Sequence, residues 1–448
     1  MIDKMSKRKI TYILLLILTI LLFLNLRNIY EHLPQNFKKD FKSYSLKKYN
    51  ELGDKTKIIF RTLNLDPFKS LNKRYYRENP SIKNLDNDYN VNFLPNTQFQ
   101  KLETTIHKVN FNSNKKGNSQ SSYGPFKPFY FEIYDNKILF INSFGETIKT
   151  NIKNLDQDIN KIKYEQVSNN LKTKLVMGSL IDRDQIYVSY LLTKNNCQEY
   201  KISKAKINFE NLIFEDFFVS KDCGKNLRAG AMIVINFQGN RGILASMGGE
   251  VLNKPTNKPQ SDSSDIGKTL FINLENNEKI IFSKGHRNPQ GLLKIDDENI
   301  ISTEHGPYGG DELNRIIFGE NYGWPIASYG SSYTKHRNKF KRESYKKSHE
   351  DYNFQEPIYS FVPSIGISKI IRLPDTFSKN WQDNFLLSSL NGGSLYRIKF
   401  DKSYKKILFM EKIFIGKRIR DLKYLENSNS LVLALEDFQE IMVLKATE

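Results

Sequence analysis

The sequence predicts an all-β protein, a six-bladed β-propeller preceded by one N-terminal transmembrane helix and a partly helical stalk. An apolar run, a turn containing Asp, Asn or Gly, and a second apolar run recur, with turns near residues 135, 183, 239, 297 and 428 and a further strand pair near 385–400. Most spacings are about 45–60 residues, the length of a four-stranded blade. Amphipathic helical periods are missing between the runs. A β-sandwich is the competing all-β fold, and the repeat spacing argues against it.

The chain begins with a membrane-targeting pattern. Residues 10–26, ITYILLLILTILLFLNL, are almost wholly apolar and follow a basic segment, residues 1–9. The run lies near the short end of the roughly 17–25 residues that span a bilayer. Because no small-x-small cleavage motif follows, the pattern favours an uncleaved signal anchor over a cleaved signal peptide. The positive-inside rule places residues 1–9 in the cytoplasm and the rest outside it, in the periplasm if the protein is bacterial.

Residues 27–124 are predicted to form a juxtamembrane stalk and linker. Phe37, Phe41 and Tyr44 fall on one face of a helix flanked by lysines. Residues 112–124, NSNKKGNSQSSYG, have linker composition. The propeller is therefore predicted to span residues 125–448.

Two cysteines, Cys197 and Cys223, lie in the predicted exported part. An even pair in an oxidising compartment permits a disulfide, and two free buried thiols are the alternative. Neither cysteine has neighbours at metal-ligand spacing.

The net charge of +19 arises from lysines scattered along the chain, which is typical of a solvated surface. No nucleic-acid-binding module is recognisable, so no nucleic-acid partner is predicted. Attraction to anionic lipid or cell-envelope polymer agrees better with the predicted anchor. The densest basic run, residues 335–347 within the insertion 331–355, is the candidate docking surface, with a solvated loop as the alternative.

The chemistry-bearing residues are concentrated in two neighbouring stretches. Residues 283–292 read SKGHRNPQGL, and residues 302–325 read STEHGPYGGDELNRIIFGENYGWP. Glycine and proline permit the positive φ angles and tight turns of loops at a propeller end. The two histidines, the arginine and the acidic groups indicate either a pair of unusual loops or a site.

These motifs resemble the glucose/sorbosone dehydrogenase family, the soluble quinoprotein sugar dehydrogenases. Further segments fall in the order of the family: SDIGKTLFIN (264–273), PSIGIS (363–368), NFLLSSLNGGSLYRIKF (384–400) and KRIRDL (417–422). The resemblance spans roughly residues 225–440 and is strongest between 262 and 330. It implies a six-bladed propeller that binds pyrroloquinoline quinone (PQQ) and calcium.

The resemblance also implies the residues that bind PQQ: Arg287, Asn288, His305, Asp311, Ser364, Asn391, Arg418 and Arg420. PQQ is a flat, tricarboxylated ortho-quinone, so its site needs cations for the carboxylates and a Lewis acid at the quinone oxygens. Arg418 and Arg420, at i and i+2, leave the same face of a strand, and planar guanidinium groups suit carboxylates. Without the resemblance, Arg418 and Arg420 would be interpreted as surface arginines.

A charged donor such as Arg287 at a quinone oxygen favours the reduced form, which gives this residue a catalytic role in the prediction. The resemblance assigns calcium to the backbone carbonyls of Gly306 and Pro307, which are hard oxygen ligands. His286 is interpreted as a structural, hydrogen-bonded histidine.

The family's proton-accepting histidine has no counterpart in this chain. The best register places Leu227 at that position with Arg228 beside it, and neither side chain can accept a proton. Glu250, after the next strand, is the candidate substitute base.

The sequence therefore predicts a membrane-anchored, extracytoplasmic, PQQ-dependent dehydrogenase-like oxidoreductase that acts on the CH–OH group of a sugar (an aldose) or another alcohol. The alternative is a catalytically inactive propeller that binds a ligand or envelope polymer without turnover. A calcium-dependent hydrolase propeller is a third possibility.

Overall fold

The computed structural model describes residues 92–94, 100–111, 127–156, 162–173, 175–249, 256–331 and 345–447. They all lie within a unit that spans Pro80–Glu448. The predicted transmembrane helix and most of the predicted stalk fall outside them. None of the described helices is long and apolar enough to cross a bilayer. Those helices are short 3-10 turns: Ile152–Asp156, Lys258–Gln260, Glu350–Tyr352, Lys379–Trp381 and Glu426–Ser428.

In the described ranges the strands form six sheets, each one blade of a propeller, which confirms the predicted all-β architecture. The chain first forms β1 (Asn92–Leu94) and β2 (Lys101–Lys108). The first blade comprises β3 (Phe129–Tyr134), β4 (Lys137–Asn142), β5 (Thr147–Asn151) and β6 (Glu165–Asn169). The second comprises β7 (Val176–Asp182), β8 (Gln185–Lys194), β9 (Cys197–Lys206) and β11 (Glu215–Gly224), while the intervening β10 (Asn211–Leu212) joins β6.

The third blade comprises β12 (Ala229–Phe237), β13 (Asn240–Met247), β14 (Lys268–Asn273) and β15 (Lys279–Lys284). The fourth comprises β16 (Pro289–Lys294), β17 (Ile300–Glu304), β18 (Asp311–Ile316) and β19 (Tyr359–Phe361). The fifth comprises β20 (Ile367–Arg372), β21 (Phe385–Ser389), β22 (Ser394–Phe400) and β23 (Ile407–Phe414). The sixth begins with β24 (Ile419–Leu425), β25 (Ser430–Leu435) and β26 (Glu440–Thr447).

Strand β2 completes the sixth blade. It pairs antiparallel with β26 along its whole length, and β1 pairs with β2. The propeller sheets therefore begin before residue 125, inside the segment predicted to be stalk and linker. The physical reason is ring closure: joining the two ends of the chain in one blade fastens the ring. A pairing between strands so far apart in sequence leaves no local pattern.

The recurring turns are the hairpins between the first and second strands of the blades. Asp135, Arg183 and Asn429 occupy these turns with φ angles of 52°, 53° and 44°. In the third blade the turn is formed by Gln238, with φ 49°, and Gly239, with φ 78°. Short Asx- and Gly-containing hairpins need this left-handed backbone, which is why the turn residues were visible in the sequence.

The hydrophobic core is divided among the blade interfaces. In the described part of the chain, six clusters of buried apolar side chains each lie between two neighbouring blades. Between the fifth and sixth blades, for example, Trp381, Leu386 and Leu433 are almost completely buried. Full burial of such a side chain contributes roughly 1.5–3 kcal/mol. The blades are thus held together by packing, and their loops are left for other uses.

One end of the ring carries the motifs. In an antiparallel blade, the loop before the innermost strand and the loop between the second and third strands emerge at the same end. We call the end formed by loops 285–288, 305–310, 362–366, 390–393 and 416–418 the mouth.

Candidate functional site at the propeller mouth

Arg287 lies in loop 285–288 and is buried. Its Nη1 donates to the carbonyl oxygens of His305, at 2.9 Å, and Gly306, at 2.6 Å. Its guanidinium carbon lies 5.2 Å from the ring centroid of Trp324. These contacts fix the guanidinium group at the mouth, between the two motif loops.

Glu304, which the sequence analysis did not single out, holds loop 285–288 in place. Its Oε1 accepts the backbone N–H groups of Arg287 and Asn288, and its Oε2 lies 2.9 Å from Nδ1 of His286. Burial opposes ionisation, but His286 and the two N–H groups outweigh it and keep the pKa of Glu304 below its ordinary value. The carboxylate is the anchor of the loop.

His286 is structural, as interpreted from the sequence. Besides Glu304, its ring contacts Ser283, whose Oγ lies 2.7 Å from Nε2. The ring stacks on Tyr322 with centroids 4.6 Å apart. Both nitrogens are engaged in the buried interior, so His286 does not act at the mouth.

His305 faces a different environment. Its Nδ1 lies 3.1 Å from Nδ2 of Asn288, which can only donate, so Nδ1 accepts. Its Nε2 is buried and has no hydrogen-bond partner among the described residues. Burial lowers the pKa of His305; Asp311 opposes this, and Arg420 and Arg287 add to it. His305 is therefore a neutral imidazole at pH 7.

Arg418 and Arg420 share one buried carboxylate, Glu436, at the end of β25. Nε of Arg418 donates to Oε1 at 2.5 Å, and Nε of Arg420 donates to Oε2 at 2.7 Å. Burial opposes ionisation of Glu436, but the two arginines outweigh it and hold its pKa below the ordinary value. Sequence reasoning missed this residue.

Gln290 connects the arginine pair to the other motif loop. Its Oε1 accepts from Nη1 of Arg420 at 3.0 Å, and its Nε2 donates to Oδ1 of Asn288 at 2.7 Å. Through Asn288 the connection continues to His305. The predicted site residues of the fourth and sixth blades thus form one hydrogen-bonded network.

Asp311 organises backbone. Its Oδ1 accepts the N–H of Gly306 at 3.1 Å, and its Oδ2 accepts the N–H groups of Ile365, Gly366 and Ile367 at 3.0, 2.6 and 3.1 Å. The Asp311 carboxylate therefore joins the 305–310 and 362–366 loops. Its predicted role at the cofactor is indirect, because it positions these loops.

Ser364 and Asn391 belong to the fifth blade's part of the mouth. Oγ of Ser364 is buried without a hydrogen-bond partner in the described part of the chain. Gly366 has a φ of 64°, and a Cβ there would lie 2.8 Å from the backbone N of Asn391. The two loops can approach this closely only because residue 366 is glycine.

The predicted calcium ligands do not fit calcium in this arrangement. The Gly306 carbonyl already accepts from the Arg287 guanidinium, so a positive group lies where the metal was expected. No group of three or more His, Cys, Asp or Glu side chains suited to a metal occurs in the described ranges. We therefore derive no chemical step from calcium.

Leu227 is not part of the mouth. Its side chain is 0% exposed and packs in the cluster between the second and third blades, and its N–H donates to Oε1 of Gln198 at 2.8 Å. An apolar side chain gains more from this core than from a polar rim. Leu227 therefore does not occupy the place at the mouth that the best register assigned to it. Glu250 lies outside the described residues.

A second buried polar cluster adjoins the mouth. Glu312 lies opposite Glu304 in the β17–β18 pairing, and both line a small cavity together with Arg287 and His305. Burial and the neighbouring Glu304 carboxylate raise the pKa of Glu312 well above its ordinary value. Nε2 of His349 lies 3.7 Å from its Oε1.

His349 comes from the insertion 331–355, of which residues 332–344 lie outside the described part. It is buried, and its Nδ1 lies 3.9 Å from Oε2 of Glu356. Nζ of Lys347 donates to the carbonyls of Ser328 and Tyr329, each at 3.1 Å. The described end of the insertion therefore packs on the propeller, and most of the predicted basic docking surface, residues 335–347, is not described.

Cys197 and Cys223 form a disulfide, with Cα atoms 5.6 Å apart. It joins β9 and β11 of the second blade near the mouth. Nζ of Lys258 donates to the carbonyl of Cys223 at 2.7 Å. Of the two possibilities left open by the sequence, the structure shows the disulfide.

Comparison with known proteins agrees with this geometry. Residues 137–443 match the sequence profile described as Glucose / Sorbosone dehydrogenase. An aldose sugar dehydrogenase of Escherichia coli is 29% identical over 175 residues, 38% of this chain and 45% of that protein. Quinoprotein glucose dehydrogenase B of Acinetobacter calcoaceticus is 24% identical over 195 residues, 31% of this chain and 41% of that protein. The chain thus spans less than half the length of these curated relatives.

The crystal structure of the soluble aldose sugar dehydrogenase of Escherichia coli, in its apo-form, superposes with a TM-score of 0.59 at 18% identity. The superposition covers 72% of this chain and 96% of that one, and it shows a shared fold. Because the family profile matches well over half of the sequence, the chain belongs to the glucose/sorbosone dehydrogenase family.

Proposed function

We propose that this protein is a sugar dehydrogenase that binds PQQ at the mouth and oxidises an aldose. The observation that carries the proposal is the network from Arg287 and His305 through Gln290 to Arg420 and Arg418. It gathers three guanidinium groups at one end of the propeller. Such a set matches a tricarboxylated ligand.

Unpartnered polar atoms support a polar ligand at this place. Nε of Arg287, Nε2 of His305 and Oγ of Ser364 are buried and have no hydrogen-bond partner in the described ranges. Leaving such an atom unsatisfied costs about 1–3 kcal/mol. A flat ligand with several oxygens and nitrogens would satisfy them, so the residues fit PQQ.

When bound, PQQ supplies an ortho-quinone that accepts a hydride from the sugar carbon. Arg418 and Arg420 would bind carboxylates, and Arg287 would place positive charge beside the oxygen where negative charge develops. Neutral His305 and Asn288 would orient the ligand by hydrogen bonds. The rigid network keeps these donors aligned before binding, which reduces reorganisation.

Oxidation of the hydroxyl carbon also requires removal of the hydroxyl proton by a base. Glu250 remains the candidate, because the preceding Gly249 donates its N–H to the carbonyl of His286 at 3.1 Å. Gly249 therefore lies at the edge of loop 285–288. In this proposal the Glu250 carboxylate would accept the proton of the hydroxyl oxygen, and the carbon that bears this oxygen would give up the hydride.

Two further parts of the proposal rest on the sequence. Residues 10–26 anchor the protein in a membrane with the propeller on the extracytoplasmic side, as their hydropathy and preceding basic residues indicate. Calcium at Gly306 and Pro307 requires Arg287 to leave the Gly306 carbonyl. Quinone affinity that increases when calcium is added would support it, and equal affinity with and without calcium would refute it.

The full-length protein in detergent is the material for the main test. PQQ is added with and without calcium, binding is followed by the quinone absorbance, and aldoses are then supplied. We expect saturable binding followed by bleaching of the quinone band. Saturable binding without bleaching by any aldose would instead show a binding propeller, and absence of binding would refute the proposal.

A further inference from the structure

We infer that Glu436 is a positioning residue that aligns Arg418 and Arg420 for an anionic ligand, and that Gln290 sets the distance from this pair to Asn288 and His305. The inference rests on the proposed function, since the ligand is the quinone of that proposal. It assigns a role to Glu436, which belongs to none of the quoted motifs, and to Gln290, which lies in the stretch 283–292.

The hairpin geometry places Glu436 opposite both arginines. Ile419 and Leu435 are partners in the β24–β25 pairing, and the N–H of Glu436 donates to the carbonyl of Arg418 at 3.0 Å. Arg418 directly precedes β24 and Arg420 lies at the register shift between Ile419 and Asp421, and both side chains reach the same carboxylate. One carboxylate at the end of β25 can therefore contact both guanidinium groups.

The contacts use the sides of the guanidinium groups. Nε of Arg418 contacts Oε1 of Glu436, while both Nε and Nη2 of Arg420 lie 2.7 Å from Oε2. A charge-assisted bond to Nε fixes the plane of the guanidinium group about its long stem. Glu436 is 0% exposed, so solvent does not compete for these bonds.

Gln290 connects this pair with the fourth blade. Its amide oxygen accepts from Nη1 of Arg420 and its amide nitrogen donates to Asn288, at 3.0 and 2.7 Å. Asn288 in turn contacts His305. A ligand that touches both halves of the mouth needs a fixed separation between them, and this bridge supplies it.

A purely electrostatic role and a positioning role for Glu436 predict opposite changes in quinone affinity when its charge is removed. Glu436 is negative, so removing its charge should strengthen attraction for a tricarboxylate. If Glu436 instead orders the arginines, its loss leaves the buried Arg420 and the partly buried Arg418 with guanidinium groups that repel and turn away from each other. The sign of the change in quinone affinity therefore separates the two roles.

The experiment compares quinone affinity in full-length wild type, Glu436→Gln and Glu440→Gln, with the melting temperature recorded for each. Glu440 pairs with Lys417 at 2.5 Å in the same blade, so its variant removes the same charge without touching the arginines. We expect Glu436→Gln to weaken affinity about 10- to 100-fold, the loss of one or two charge-assisted contacts. Glu440→Gln should stay within about twofold, as for a partly exposed pair.

Affinity in Glu436→Gln equal to or above that of wild type would overturn the inference. If Glu436→Gln does not fold, Gln290→Met provides the test, because it removes only the bridge. Its quinone affinity should fall about 3- to 10-fold, which corresponds to one hydrogen bond. Unchanged affinity in Gln290→Met would overturn the inference. Failure of the wild type itself to bind quinone refutes the proposed function instead, so the two failures are distinguishable.

Discussion

The mouth and the third-blade loops beside it are of unlike construction. On the arginine side, formed by blades four to six, the mouth is built from charged and amide side chains that hydrogen-bond to one another. On the leucine side, residues 227–228 and 248–249 of the third blade, the contacts are from backbone: Gly248 donates its N–H to the Arg228 carbonyl at 2.8 Å. In the proposed function, the arginine side holds the ligand and the leucine side supplies the base.

Close approach explains the glycines of the leucine side. A Cβ at Gly248 would lie 2.6 Å from the carbonyl oxygen of Arg287, so only glycine lets this turn pass against loop 285–288. The turn then leads into residue 250. The leucine side thus brings a backbone turn, rather than residue 227, next to Arg287.

The largest expected effect tests the base on the leucine side. Glu250→Gln should lower aldose oxidation about 100- to 10,000-fold with little change in quinone affinity, because the amide cannot accept the hydroxyl proton. Steady-state turnover and a quinone titration measure the two quantities. Glu298→Gln, in an exposed loop, is the control. Turnover that survives Glu250→Gln would place the base elsewhere.

The next effect tests the arginine side. Replacing both Arg418 and Arg420 by Ala should weaken quinone binding by about 100-fold or more, since each charge-assisted contact contributes roughly 1.5–3 kcal/mol. The same change leaves Glu436 buried without a counter-charge and should lower the melting temperature. Adding Glu436→Gln should restore stability but not affinity.

Exposed Arg372, which pairs with Asp383 at 3.4 Å, provides the control for the arginine pair. Arg372→Ala should leave both affinity and melting temperature near the wild-type values. Full quinone affinity in the double arginine variant would show that the ligand binds elsewhere.

The features of this molecule that could be predicted from its sequence are those that depend on neighbouring residues. The hairpin turns at Asp135 and Arg183 are predicted by their own short sequences. Arg287, Asn288 and His305 belong to compact motifs. These features depend on neighbours in sequence, so pattern reasoning finds them.

Glu436 could not be found in this way. Gln290 lies in the stretch 283–292, but its role could not be found either, because it depends on contact with Arg420 in a distant segment. In the sequence, Glu436 is an acidic residue in a turn, with no motif around it. Only the pairing of β24 with β25 brings it next to Arg418 and Arg420. The β2–β26 closure is non-local in the same sense. Leu227 shows the limit of alignment: a matching position does not ensure that the side chain points to the site.

That limit gives a third test. Leu227→His should not create activity; it should lower stability by about 2–5 kcal/mol, since a polar ring would enter the cluster between blades two and three. Chemical unfolding measures the loss. Leu227→Met keeps the volume and should cost less than about 1.5 kcal/mol. A stable Leu227→His variant with raised aldose oxidation would place residue 227 at the mouth after all.

The smallest effect concerns the cluster behind the arginine side. The pKa of Glu312 is raised in the folded protein by burial and by Glu304, so the folded state binds its proton more tightly than the unfolded state. Its contribution to stability is complete below the unfolded pKa and is lost as the pH rises through the folded pKa. Glu312→Gln removes this loss and keeps an oxygen to accept from Asn314.

We therefore expect Glu312→Gln to match the wild type in stability near pH 4 and to exceed it at pH 8. Glu356 is the matched comparison: burial raises its pKa, but the N–H of Glu350, the Tyr329 hydroxyl and the N–H of His349 outweigh this and lower it. The stability it contributes is lost as the pH falls, so Glu356→Gln should be least stable relative to wild type at pH 8. Unfolding curves at pH 4 and pH 8 measure the stability of each variant relative to wild type. If this relative stability changed with pH in the same direction for both variants, Glu312 would be ionised beside Glu304. The cluster would then hold two adjacent negative charges near Arg287.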